Sequence, residues 1–344
     1  MKLVTFEIGT PVGRMQRLGG LLDGSDSGRI VDLHSAFVRH LTATDEPTPE
    51  AFAALRLPSD MIGWLRAGRH GLAAAETAMR AAAADPSTPG PNGERVVFER
   101  REVKLLAPLP KPASFRDFSI YEEHMQEAPK RPTFYTHPAY YKGSTTAIAG
   151  PEDPVPWPYY TKLLDLELEI GIVIGKQGSN LSIEEAAGYI AGYTILVDSS
   201  AREGRDREYL GPTKRKDWHT ALGPFLVTPD EVDIENVRCT FAVDGEVWYE
   251  GSTGAPHSFS PAHLVAYTSD SETVYPGDLL GTGTIGASCS SDSGRWIKSG
   301  QTATFTIDGL GSMSLKVVDQ PAVVTHVGSG MRGLLPTPAN LAAR

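Results

Sequence analysis

The stretch LDLELEIGIVIG, residues 164–175, constrains this chain more than any other. Side chains alternate between the two faces of a strand, so Asp165, Glu167 and Glu169 share one face while Leu164, Leu166, Leu168 and Ile170 share the other. The run continues as IGIVIG, apolar on both faces, which is the pattern of a strand inside a core. Like charges two residues apart repel, and a carboxylate withdrawn from water without a partner is costly. Two readings follow: the acidic face is solvated, or a cation sits over Glu167 and Glu169. Either way the chain must build a sheet around this strand.

The 344 residues allow about two domains, at ~150 residues each, or one large one. With 40% hydrophobic and 22% charged residues the composition is that of a soluble protein, and no apolar run approaches the ~18 residues of a membrane helix. The N-terminal MKLVTFEIGTPVG lacks the apolar core and small-residue cleavage site of a secretory signal. Cys239 and Cys289 supply neither a disulfide framework nor a CxxC metal site, so a reduced cytoplasm is expected. A net charge of −10 argues against nucleic acid as partner, and the basic triplet ending at Lys216 is too short to reverse that.

Residues 1–100 are expected to form a small N-terminal α+β accessory domain. It has strand candidates KLVTFEIG, RLGGLL and RIVDL, then helical stretches PEAFAALR, SDMIGWLRAG and HGLAAAETAMRAAAA. The Pro- and Gly-dense DPSTPGPNGE reads as a linker. Residues 101–330 read as a larger, strand-dominated domain, with strands expected at 163–175, 193–198, 223–228, 237–244, 279–283, 302–307 and 313–318. One helix is well signalled, since Ser182 and Glu185 make a capping box. Residues 331–344 are expected to be a loose tail. No repeats are present.

Asp198 closes the strand-like YTILVD, next to a loop where scaffolds commonly present functional groups. Two glutamates from one strand and an aspartate from a neighbour would make an all-oxygen site, which selects hard cations such as Mg²⁺, Mn²⁺ or Ca²⁺.

Four motifs, in this order, carry a resemblance: LDLELEIGIVIG, VDSSAREGRDREY, KDWHTALGPFLV and YPGDLLGTGTIG. Over roughly residues 104–320 the chain resembles the fumarylacetoacetate hydrolase family. The resemblance implies a β-rich α+β fold, a roll or sandwich of mixed sheets, with a divalent cation, Mg²⁺ first, held between Glu167, Glu169 and Asp198. Asp117, opening DFSIYEEH, matches a further ligand found in some members. His124 is followed at i+3 by Glu127, and on a helical lid the two would touch; a carboxylate beside histidine raises its basicity. The resemblance makes this pair the water-activating base, with Asp292 in GASCSSDSGRWIK as the lesser alternative partner for His124. Substrate contacts implied by the match are Tyr141, Lys142, Arg202, Arg205, Tyr209, Lys216 and Thr284. For Arg202 a salt bridge to a nearby carboxylate is the equal alternative.

GTGTIG, residues 281–286, satisfies G-x-G-x-x-G, but the ASCSSDSGRW that follows is not the helix a pyrophosphate site needs, so dinucleotide binding is rejected. Cys289 has no histidine partner visible in the sequence and reads as an inert thiol. No G-x-S-x-G elbow occurs. The expectation is a metal-dependent hydrolase of carbon–carbon bonds in a 1,3-dicarbonyl or acylpyruvate. The rivals are a decarboxylase, isomerase or hydratase of a 2-oxo acid at the same site, and a non-catalytic metal-containing binding protein. The expected partners are a small oxo acid or diketone and, as the resemblance alone implies, a second copy of the chain in a homodimer, with no nucleic acid or membrane.

Overall fold

A computed structural model describes residues 1–24, 28–125, 131–158, 160–203, 208 and 211–319. The strand Leu164–Ile174 lies inside a twelve-stranded mixed sheet. On one side it pairs antiparallel with Ile190–Ala201, which pairs with Thr220–Val227. On the other it pairs with Leu279–Gly281, then Phe115–Phe118, then Tyr140–Lys142. Every residue of Leu164–Ile174 is buried, as the apolar run required.

The alternation read from the sequence sorts its side chains between two cores. Leu164, Leu166, Leu168, Ile170 and Ile172 pack in one core with Phe241, Phe305, Leu315 and Val317 of a second, five-stranded sheet. On the opposite face Val173 packs in another core with Leu33, Phe37, Trp64 and Ala75 from the N-terminal helices. That face therefore has a helix-covered end at Val173 and an acidic end at Asp165, Glu167 and Glu169. Leu196 and Asp198 on the neighbouring strand divide the same way.

The N-terminal helices are Leu33–Ala43, Pro49–Arg56 and Met61–Ala84. The first was not expected: Asp32, read as the end of a strand, instead caps it by accepting from Ser35 N at 3.1 Å. The two later helical stretches form one 24-residue element kinked at Gly68, whose φ of 55° is non-helical. Lys2–Thr10 hydrogen-bonds directly to Thr220–Val227, Leu3 opposite Leu226, so strand pairing passes across the linker read at residues 85–94. The expected strands at 302–307 and 313–318 appear as Thr302–Ile307 and Gly311–Asp319, and the Ser182–Glu185 capping box starts a short helix, Ile183–Ala187. No helix among the described residues is long and apolar enough to cross a membrane. The expected tail lies outside the described residues.

Candidate active site

Register brings the carboxylates together. Glu167 stands directly opposite Asp198 across the antiparallel pair, and Asp165 opposite Ser200. Two like charges facing each other on one side of a sheet are destabilising unless something positive intervenes. The Lys216 ammonium does so, donating to Glu167 Oε2 at 2.5 Å and to Asp198 Oδ2. Asp117 reaches the group across Gly281, its register partner on the intervening strand. A Cβ at Gly281 would strike Asp117 Oδ1 and Glu169 Oε2, so glycine there lets the two carboxyl groups meet.

The three acidic residues of the strand have different partners. Asp165 accepts from Arg202 Nε at 2.7 Å and from the backbone N–H groups of Ser290 and Ser291 at 2.6 and 3.2 Å. Glu167 accepts from Ser200 Oγ at 2.9 Å, from Lys216 and from Arg202. Glu169 accepts from Gly283 N at 3.0 Å and otherwise faces Asp117 and Asp198. Burial opposes ionisation of Glu167, but Arg202 and Lys216 outweigh it and hold its carboxyl well below the usual range. Glu169 goes the other way: burial, then Asp117 and Asp198, push it well above. Burial likewise raises Asp117 and Asp198.

Asp117, Glu169 and Asp198 offer ligand atoms within 4.8 Å of one another. Asp117 Oδ1 and Asp198 Oδ1 are buried with no hydrogen-bond partner among the described residues. Buried carboxylate oxygens without donors, in a cluster whose carboxyl groups repel, fit a hard divalent cation. Of the four expected ligands the structure groups Asp117, Glu169 and Asp198, while Glu167 lies beside them hydrogen-bonded to Arg202, Ser200 and Lys216.

His124 enters on the short helix Glu122–Met125. Its Nδ1 lies 2.7 Å from Asp292 Oδ2, and its Nε2 lies 3.5 Å from Glu167 Oε1. An ionised carboxylate only accepts, so the Asp292 contact calls for a ring proton on Nδ1, and in the neutral ring Nε2 is then the proton acceptor. Of the two expected partners Asp292 touches His124, and Glu127 lies outside the described residues. Asp292 reaches His124 because Asp165 fixes the backbone of Ser290 and Ser291 just before it. Sequence reasoning missed that role for Asp165, although the strand alternation had already put it on the acidic face. Cys289, read as without a histidine partner, has its Sγ 3.8 Å from His124 Nδ1. Burial, then Asp165 and Glu167, push its thiol far up, so without a metal to displace its proton it stays protonated and is no nucleophile.

Asp117, Glu167, Glu169, His124 and Asp292 line a cleft of about 530 Å³ that also takes in Tyr141, Arg202, Arg215, Lys216 and Thr284. Tyr141 donates to Asp198 Oδ2 at 2.9 Å. Lys142 departs from expectation: the next residue of a strand points to the opposite face, and Lys142 is exposed and absent from the cleft wall. Arg202 makes the salt bridges that were its alternative reading, while still facing the cleft. Arg205 and Tyr209 lie outside the described residues. No pyrophosphate-binding helix opens at Gly286; the chain there is a loop leading to the four-residue helix Ser290–Ser293.

A mixed-sheet scaffold carrying a cation-fitting carboxylate cluster and a carboxylate-oriented histidine in one cleft has the makings of an enzyme site. The family profile described as fumarylacetoacetate (FAA) hydrolase C-terminal matches residues 114–318. The mitochondrial oxaloacetate tautomerase of Bos taurus is 31% identical over 328 residues, covering 92% of each chain. That of Rattus norvegicus is 32% identical over 273 residues, 76% of this chain and 80% of the relative. Among solved structures, the fumarylacetoacetate hydrolase of Exiguobacterium antarcticum superposes with a TM-score of 0.67 at 21% identity, covering 92% of this chain and all of the other. A Sphingobium maleylpyruvate hydrolase, solved in complex with manganese(II) ion and pyruvate, gives 0.65 at 22% identity, covering 93% of this chain and all of the other. The protein belongs to the fumarylacetoacetate hydrolase family and is an enzyme of it.

Proposed function

We propose that this enzyme moves a proton between the keto and enol forms of a small 2-oxo acid of the oxaloacetate kind. The observation that carries the reading is His124, its Nδ1 held by Asp292 at 2.7 Å, lining the same cleft as Asp117 and Glu169 of the carboxylate cluster. The tautomerase relatives, matched over up to 92% of this chain, favour this proton transfer over other chemistry. A divalent cation, Mg²⁺ or Mn²⁺ first, held by Asp117, Glu169 and Asp198 would polarise a substrate carbonyl as a Lewis acid. His124 Nε2 takes a proton from the carbon beside the carbonyl. Asp292 steadies the imidazolium that results, and Lys216 is a buried cation in the cleft wall for the developing enolate oxygen. The imidazolium then returns the proton to oxygen, giving the enol; the reverse path gives the ketone. Arg202 and Arg215 line the cleft where substrate carboxylates would lie.

The hydrolytic reading is favoured by the same histidine. With Nε2 unprotonated, His124 also suits removal of a proton from water attacking an acylpyruvate carbonyl. Collapse of the adduct breaks the carbon–carbon bond, and the departing enolate takes a proton back from the imidazolium. The test is a spectrophotometric screen of oxaloacetate tautomers, acylpyruvates and fumarylacetoacetate, with EDTA and with added Mg²⁺ or Mn²⁺. Metal-restored interconversion of oxaloacetate tautomers alone supports the tautomerase, and cleavage of a diketone supports the hydrolase. Loss of carbon dioxide moves the assignment to a decarboxylase. Absence of turnover of any of these substrates by metal-loaded protein overturns both readings.

We further infer a reduced compartment, the cytoplasm by our reading, because Cys239 and Cys289 are both free and buried. Subcellular fractionation tests it, the mitochondrion being where the relatives' names place them. A homodimer is proposed from the family resemblance and is read by sedimentation.

A further inference from the structure

We propose that His124, Cys289 and Asp292 form a second metal site, for a borderline-soft ion of the zinc class, whose occupation switches His124 off. The three residues present an imidazole nitrogen, a sulfur and a carboxylate oxygen within 4.8 Å of one another. Tetrahedral zinc, with Zn–S of about 2.3 Å and Zn–N of about 2.0 Å, sets sulfur and nitrogen roughly 3.6 Å apart. Cys289 Sγ and His124 Nδ1 are 3.8 Å apart, so that edge of the tetrahedron is already built. Asp292 Oδ2 lies 2.7 Å from Nδ1, closer than the roughly 3.4 Å of a shared metal shell, so it need only slide off its hydrogen bond. Asp165 pins the intervening backbone through Ser290 N and Ser291 N, which limits the rearrangement to side chains.

Donor chemistry separates this trio from its neighbour. Asp117, Glu169 and Asp198 are all oxygen and take hard ions; sulfur plus imidazole prefers zinc or cobalt over magnesium. Binding replaces the thiol proton, which leaves to solvent, and keeps the metal's charge unchanged. A neutral imidazole coordinated through Nδ1 must carry its proton on Nε2, the opposite tautomer to the one Asp292 imposes. Nε2 then becomes a donor and can no longer accept a proton from substrate or water. The site itself is independent of the proposed reaction; the loss of activity rests on the reading of His124 as base.

The experiment strips the full chain of metal, adds excess Mg²⁺ to occupy the oxygen cluster, and titrates with Co²⁺ while recording the near-ultraviolet. A thiolate-to-cobalt charge-transfer band saturating at one ion per chain is expected, absent from Cys289→Ser and retained in Cys239→Ser. No band at saturating cobalt overturns the site, as does a band that survives in Cys289→Ser. X-ray absorption of the zinc-loaded wild type needs no variant: one sulfur at about 2.3 Å supports the site and an all-oxygen and nitrogen shell overturns it. In parallel, zinc over excess Mg²⁺ should cut turnover by ~10²-fold or more, the share of a general base. The band without that loss keeps the site and overturns His124 as the base.

Discussion

Asp165, Glu167 and Glu169 repeat every second residue on one strand face, yet their surroundings divide them into a loop anchor, an ion-pair centre and a cluster member. That division has measurable consequences. Asp292→Asn should lower kcat on the enzyme's substrate by ~10²–10⁴-fold with little change in KM, because an amide no longer forces the ring proton onto Nδ1. Glu127→Gln, made in parallel, should cost less than a tenth of that loss; steady-state kinetics of the two variants decides which acid orients His124. The acidic face was legible because period-2 alternation is local. The Asp292–His124 contact was not, because it joins residues separated by 168 positions and depends on Asp165 folding the loop back.

The sheet elements gather carboxylates of this face into a cluster that fits a cation, and the protein's stability should report one bound there. Without metal, Asp117, Glu169 and Asp198 are buried and their carboxyl groups raised, so their ionisation at neutral pH opposes folding. A divalent ion at 100 times its Kd should add about 2.7 kcal/mol, read as a rise in Tm that EDTA reverses. Asp117→Asn should remove most of that rise while leaving the metal-free Tm unchanged or higher, since it deletes one of the repelling charges. A metal-induced rise of wild-type size in this variant would exclude Asp117 as a ligand. Strand positions came through the sequence well because apolar alternation is dense there. The helix Leu33–Ala43 did not, because Asp32 ends one element and caps the next.

At the scale of the molecule, residues 1–100 share the sheet and the cores of the rest. Removing residues 1–94 would expose Leu222, Leu226 and Leu196, which now pack under the N-terminal segment. Residues 95–344 alone should therefore give no cooperative urea transition, whereas the intact chain should unfold with coincident fluorescence and circular-dichroism curves. Acid should weaken the intact protein through His219, whose ring is buried with Nε2 unpartnered among the described residues and whose pKa burial lowers to about 4. The unfolded chain takes up that proton near pH 6.5, the folded one only near 4, so this contribution is present above 6.5 and is lost as pH falls between the two. Its size is on the order of 3 kcal/mol, and His219→Asn should flatten the fall in urea-unfolding stability between pH 7 and 4.5 by a similar amount. The division of the Leu164–Ile174 strand between two faces also bears on how faithfully the chain can fold. A slip of one residue against Ile190–Ala201 would turn Asp165, Glu167 and Glu169 inward among Phe241 and Phe305 and expel the leucines. Such a mispaired chain could not close its interior, so a population of well-folded but inactive enzyme through this error should not accumulate; the acidic face proofreads its own assembly.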